Sequence, residues 1–174
     1  MNWKTTMMAL AVASPAGAAV VPAIEYYHAG FDHYFMTASA AEASILDAGT
    51  TIKGWARTGK TFSVDDTSGS PVCRFFSTSF APKSSHFYTA NVAECATVKA
   101  NPNWAYESVA FNVTLPSASG TCATGSKVYR LYNNGQGGAP NHRFTTSAAV
   151  RAEMLAAGYV AEGTGIGVGM CAAQ

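Results

Sequence analysis

The sequence predicts a β-rich α+β fold: three repeats of roughly 50 residues in a pseudo-threefold, β-trefoil-like barrel with a short helix per repeat. Three observations predict it. One phrase recurs, as "DHYFMTASAAE" from Asp32, "SHFYTANVAE" from Ser85 and "NHRFTTSAAV" from Asn141. An alternating apolar strand precedes each copy, at 23–27, 72–76 and 128–132. A stretch opened by an aromatic follows each copy, and "WARTGKTFSV", "WAYESVAFNV" and "YVAEGTGIGV" align without gaps. Closure about an axis removes the strand edges that an open row of three units would expose.

Each unit reads as strand, strand, helix and a further strand pair. The first strand runs into a loop, rich in Gly, Ser, Pro or Asn in units two and three. The second strand starts at a histidine, and His33, His86 and His142 are read as equivalent positions. The helix then begins at a cap. Ser39 with Glu42 forms a capping box, in which the Ser oxygen accepts a backbone N–H and the Glu reaches back. Asn91 and Glu94 repeat that logic, whereas Ser147 is followed by Val150 in place of the Glu. Gly49 and Gly158 stand where a left-handed C-terminal residue is wanted, and "NPNW" from Asn101 stops the second helix. Trp55, Trp104 and Tyr159 open the last strand pair of their units.

The bulk composition fits this architecture. The 174 residues suit one domain, and 12% charged residues is low against roughly 25% in an average chain. Net charge is +1 with no basic or acidic block, which argues against nucleic acid as a partner. Lys4, the apolar run 7–13, Pro15 and Ala16-Gly17-Ala18 read as a secretory signal over 1–18. The mature chain is then one three-repeat domain over 19–174, with repeats at about 23–70, 71–126 and 127–174. No stretch supplies the ~20 apolar residues of a membrane span, so a secreted or periplasmic protein is expected.

Four cysteines, Cys73, Cys95, Cys122 and Cys171, contain no C-x-x-C pair, which suits two disulfides in an exported chain. Three pairings are possible. The repeat favours Cys73 with Cys95, tying strand to helix inside unit two, and Cys122 with Cys171, anchoring the C-terminus.

Several motifs touch on chemistry. "GWARTGKT" at 54–61 has full P-loop spacing, but the following "TFSVDD" reads as a strand, where a phosphate site needs a helix N-terminus. "GTGIGVG" at 163–169 reads as a strand with close backbone approach. "NVT" at Asn112 matches a glycosylation acceptor. Three equivalent histidines about an axis suggest a convergent metal site, yet a residue repeated in every unit more often serves architecture; no metal and no cofactor is assigned. There is no G-x-S-x-G, no H-E-x-x-H and no spaced carboxylate pair, so no catalytic residue is assigned. The candidate binding residues are His33, His86, His142, Trp55 and Tyr106, a set of rings suited to stacking and hydrogen bonding.

Val128-Tyr129-Arg130-Leu131-Tyr132-Asn133, His86-Phe87-Tyr88-Thr89, Gly158-Tyr159 and Glu162-Gly163 resemble a family of exported bacterial and fungal repeat domains of uncharacterised function. The resemblance covers nearly all of the mature chain. Unit one departs most: Glu25 replaces the Arg, and "RTG" stands where "YES" and "AEG" stand elsewhere. Such domains often lie beside secreted hydrolases, which implies an accessory or surface-binding role. The expected function is therefore an exported, non-catalytic binding module for cell-surface or extracellular carbohydrate. The alternatives are a structural or protein-interaction module, and a small secreted hydrolase or metalloenzyme.

Overall fold

The computed structural model describes residues 19–174, so the candidate export signal at 1–18 lies outside the described residues. The same run of elements occurs three times. Unit 1 comprises β1 (Val20–His28), β2 (His33–Thr37), α1 (Ala40–Ala48) and β3 (Trp55–Asp65). Unit 2 comprises β4 (Ser70–Ser77), β5 (Ser85–Thr89), α2 (Val92–Lys99) and β6 (Ala105–Val113). Unit 3 comprises β7 (Lys127–Tyr132), β8 (His142–Thr145), α3 (Ala148–Ala156), β9 (Val160–Glu162) and β10 (Val168–Cys171). In every unit the first strand is central. The second pairs antiparallel on one flank and the strand after the helix on the other.

The expected terminal strand pair is thus one long strand in units 1 and 2. In unit 3 it is broken into β9 and β10. Gly163, Gly165 and Gly167 there have φ of 117°, 57° and 92°, which a pleated strand does not accommodate, so the alternating glycines turn the chain. The expected close approach holds at Gly169, where a Cβ would lie 3.1 Å from Arg130 Cβ.

The strands form a six-stranded sheet, β2-β1-β3-β6-β4-β5, and a four-stranded sheet in which β7 pairs with β8 on one side and with β9 and β10 on the other. No closed barrel or trefoil is present among the described residues, which corrects the expected trefoil-like barrel. The physical reason lies at the unit boundaries, where the ladders stop. β3 and β6 share a single pair, Asp65 with Asn112. Units 2 and 3 share one bridge, Thr114 with Cys171, and the Ala173 N–H donates to Ser63 O at 2.8 Å to return to unit 1. Side chains, rather than continuous sheet, join the units.

The main core gathers equivalent positions of the three units: Ala23, Val72 and Val128 from the first strands, and Met36, Tyr88 and Phe144 from the second. The Tyr88 hydroxyl donates to Met36 O at 2.6 Å, so the one polar atom in this trio is satisfied. Burying each such side chain contributes about 2 kcal/mol. Smaller cores lie under α2 (Phe75, Phe87, Cys73, Cys95) and α3 (Leu131, Val150, Met154, Tyr159). Cys73–Cys95 and Cys122–Cys171 are bonded, with Cα atoms 6.1 and 5.7 Å apart, the pairs that the repeat favoured. Each constrains the unfolded chain by about 2–4 kcal/mol.

The caps differ from expectation in one informative respect. Ser39, Asn91 and Ser147 do accept N–H groups from the third residue on. The reciprocal half of the box, however, is supplied from upstream. Thr37, Thr89 and Thr145 hydroxyls accept the N–H of Ser39, Asn91 and Ser147 at 3.0, 3.0 and 3.1 Å. Glu42 and Glu94 are therefore released from capping and turn toward the next unit.

Candidate functional site between units 1 and 2

Register decides which repeated residues are equivalent. Tyr27 opposes Tyr34, Phe76 opposes His86 and Tyr132 opposes His142. The N-caps impose the same alignment. His86 and His142 therefore correspond to Tyr34, while His33 corresponds to Ser85 and Asn141, correcting the reading of three equivalent histidines. The cause is one extra residue between His33 and its cap, and a one-residue shift moves a strand side chain to the opposite face.

The two sets do different work. His33, Ser85 and Asn141 are buried and link the units in a cycle. His33 Nδ1–H donates to Ser84 O at 2.7 Å, Ser85 Oγ donates to Pro140 O, and Asn141 Nδ2 donates to Tyr34 O at 3.0 Å. Burial lowers the His33 pKa, so its ring is neutral and its Nε2 has no partner. The premise of three histidines converging on a metal is removed. Among the described residues no group of three His, Cys, Asp or Glu side chains is placed to hold an ion.

The second set lies at the junctions. Between units 1 and 2, Arg74 of β4 donates to Glu42 of α1 at 2.7 Å, and its Nε lies 2.8 Å from Glu107 of β6. That Nε–H is not aimed at the oxygen, so the Glu107 contact is Coulombic. The guanidinium also sits 5.7 Å from the Phe35 ring of unit 1. Between units 2 and 3 the arrangement repeats. Arg130 donates to Glu94 at 2.7 Å, its Nε lies 3.2 Å from Glu162, and it sits 5.5 Å from the Phe87 ring. Between units 3 and 1 the partners are exchanged. Glu25 holds the Arg position and accepts two bonds, at 3.0 and 2.9 Å, from Arg143, which holds the Phe35 position. Thr58 replaces Glu107 and donates to Glu25 at 2.7 Å. Four departures of the sequence from its own repeat, at Glu25, Thr58, Arg143 and Val150, thus belong to one junction.

The first junction borders an aromatic-walled cavity. It has a volume of about 360 Å³, with Phe35, Trp55 and Phe76 as walls, Leu46 and Ile52 at its edge, and Glu42, His86, Glu107 and Ser84 as polar lining. The His86 ring lies 4.6 Å from Phe35 and 4.9 Å from Phe76. Burial, and then the Arg74 charge, push its pKa down to about 3, so the ring is neutral at physiological pH. Its Nε2 is 3.7 Å from Glu107, beyond hydrogen-bonding reach. Trp55 is steadied by Phe35 at 5.7 Å and by the edge of His28 at 5.3 Å. Gly54 makes that approach possible, since a Cβ there, at φ of 87°, would collide with the His28 ring.

Of the five residues expected to bind, Trp55 and His86 meet in this cavity. His33 is fully buried in the cycle of hydrogen bonds. His142 stacks on Tyr132 at 4.9 Å and donates from Nε2 to Glu162 at 2.9 Å. Tyr106 is 41% exposed on β6, with Lys99 Nζ 3.9 Å above its ring. The sequence reasoning missed Phe35, Glu42, Phe76 and Glu107. Their signal was present: Arg in the first strand recurs only where Glu recurs both in the preceding helix and after the aromatic.

A second, more polar cavity of about 390 Å³ lies between units 2 and 3, where Glu94 and Arg130 face Gly163 and Gly169. It has no aromatic wall. The P-loop spacing at 54–61 runs into β3 and is followed by a turn and β4, so it has no helix N-terminus for phosphate. Asn112 lies in β6 and donates to Asp66 O at 2.9 Å. No described helix is long and apolar enough to cross a membrane.

Neither curated proteins nor solved structures gave a match to this chain. Residues 22–169, spanning all three units and both cavities, match the family described as a domain of unknown function, DUF5648, and the chain belongs to that family.

Proposed function

We propose that the protein is an exported, non-catalytic module that binds carbohydrate in the cavity between units 1 and 2. The observation that carries this reading is the cavity's lining: three aromatic walls, Phe35, Trp55 and Phe76, beside acceptors on Glu42, Glu107 and the neutral His86. Sugar rings present C–H faces to aromatic planes and hydroxyls to carboxylates, and the volume suits a small ligand. Export is supported by the two disulfides, which persist in oxidising compartments.

The test is a glycan array with polysaccharide pull-down, run on the chain from residue 19 and on Trp55→Ala. Binding that is shown by the parent chain and weakened in the variant supports the reading. Failure of the parent chain on both assays removes it and leaves a structural or protein-interaction role.

A further inference from the structure

We propose that the cavity between units 1 and 2 selects a ligand bearing a protonated amine. This rests on the carbohydrate reading, under which the ligand is a sugar with a free amino group. Glu42 and Glu107 both line the cavity, and Arg74, the cation between them, stands behind the lining. One guanidinium against two carboxylates leaves a net negative charge. His86 does not cancel it, because burial beside Arg74 keeps that ring neutral. The walls add to the same preference. The faces of aromatic rings carry negative quadrupole potential and attract ammonium groups within about 6 Å. Arg74 already occupies the neighbourhood of Phe35, at 5.7 Å, which leaves Trp55 and Phe76 for an incoming cation. The low polarity of Leu46, Ile52 and the rings strengthens each charge contact relative to open solvent.

The site is also asymmetric in a way a structural junction does not require. At the equivalent place between units 2 and 3, His142 donates to Glu162 and stacks on Tyr132, so the carboxylate there is already engaged by the ring. In the first junction His86 stops 3.7 Å from Glu107, and Glu107, with Arg74 at 2.8 Å, lines the cavity with no bond from the ring.

The experiment titrates the chain from residue 19 with glucosamine oligomers, with the matched N-acetylated oligomers and with tetramethylammonium, following tryptophan fluorescence. The same ligands are titrated against Glu107→Gln, with circular dichroism to verify its fold. The expected result is amine-bearing sugar bound about tenfold more tightly than the acetylated one, with the difference abolished in Glu107→Gln. Equal affinity for the two sugars overturns the charge preference and leaves the carbohydrate reading standing. Binding of tetramethylammonium without either sugar supports the charge preference and removes the carbohydrate. Absence of binding by all three overturns the amine preference, and the glycan array and pull-down decide the carbohydrate reading separately. If Glu107→Gln fails to fold, the two-sugar comparison on the parent chain decides by itself.

Discussion

The junctions on either side of unit 2 are made of the same parts and end differently. Each has an Arg on the central strand of the later unit, a helix Glu and an aromatic from the earlier one, and a His–Glu pair on the two strands that flank that central strand. Between units 2 and 3 the pair closes: His142 bonds Glu162 at 2.9 Å and lies flat against Tyr132, with ring planes 22° apart. Between units 1 and 2 it stays open: His86 is 3.7 Å from Glu107 and tilts 43° from Phe76. The connection after the helix contributes. Segment 49–54 is longer than 100–104 or 157–159 and brings Ile52 into the cavity's lining. A repeat can therefore keep its fold while one junction bonds its His to its Glu and another leaves that pair apart beside an aromatic cavity.

The junction between units 3 and 1 gives the largest expected effect, because its ion pair is the most buried. Arg143→Met leaves Glu25, 6% exposed, without its cation and is expected to cost about 3–5 kcal/mol in urea unfolding. The fourfold change Arg143→Phe, Glu25→Arg, Thr58→Glu and Val150→Glu rebuilds the pattern of the other junctions. It is expected to recover at least half of the loss seen in Arg143→Phe alone. Strict additivity of the four single changes would break the equivalence drawn between the three junctions.

Removing the Cys73–Cys95 bond by a double change to Ala is expected to cost about 2–4 kcal/mol, a loss in unit 2 with no counterpart in units 1 and 3. Differential scanning calorimetry with a Cys122/Cys171 double variant as reference measures it.

Acid sharpens the contrast between the two histidines. His86 is held at about 3 in the folded state, below the unfolded value of about 6.5, so the unfolded chain binds the extra proton. Its contribution is complete above pH ~6.5 and is lost as pH falls toward the folded value. Between pH 6.5 and 5 that amounts to about 2 kcal/mol, and His86→Gln should flatten the slope by nearly one proton. Burial lowers His142 also, but the Glu162 hydrogen bond opposes it, so His142→Gln should flatten the slope less. Equal slopes in the two variants would erase the distinction between an open and a closed junction.

The smallest effect is at the walls. Trp55→Ala should weaken sugar binding by about 1 kcal/mol, close to fivefold, and Trp104→Ala should leave it unchanged. A matching loss at Trp104, which packs on Phe87 at 6.1 Å and Phe80 at 5.9 Å, would place binding outside the first junction.

The sequence by itself determined the elements and their order. The 2-residue alternation of 72–76, the caps Ser39, Asn91 and Ser147, and the cysteine positions each carry a local physical signal, and the structure keeps them. It could not determine how the copies align. His33 matches His86 by eye, but it stands one residue further from its helix cap, which sends its ring to the opposite face, into the cycle with Ser84. Nor could it show that the capping-box Glu42 is displaced by Thr37 and meets Arg74. Local patterns fix a backbone within one unit, because capping and alternation act over a few residues. Whether Glu107 is engaged or open, and whether the sheet closes into a barrel, is decided where units meet. Contacts there join residues far apart in the chain, so only the folded molecule brings Trp55, Glu42, His86 and Glu107 to one cavity.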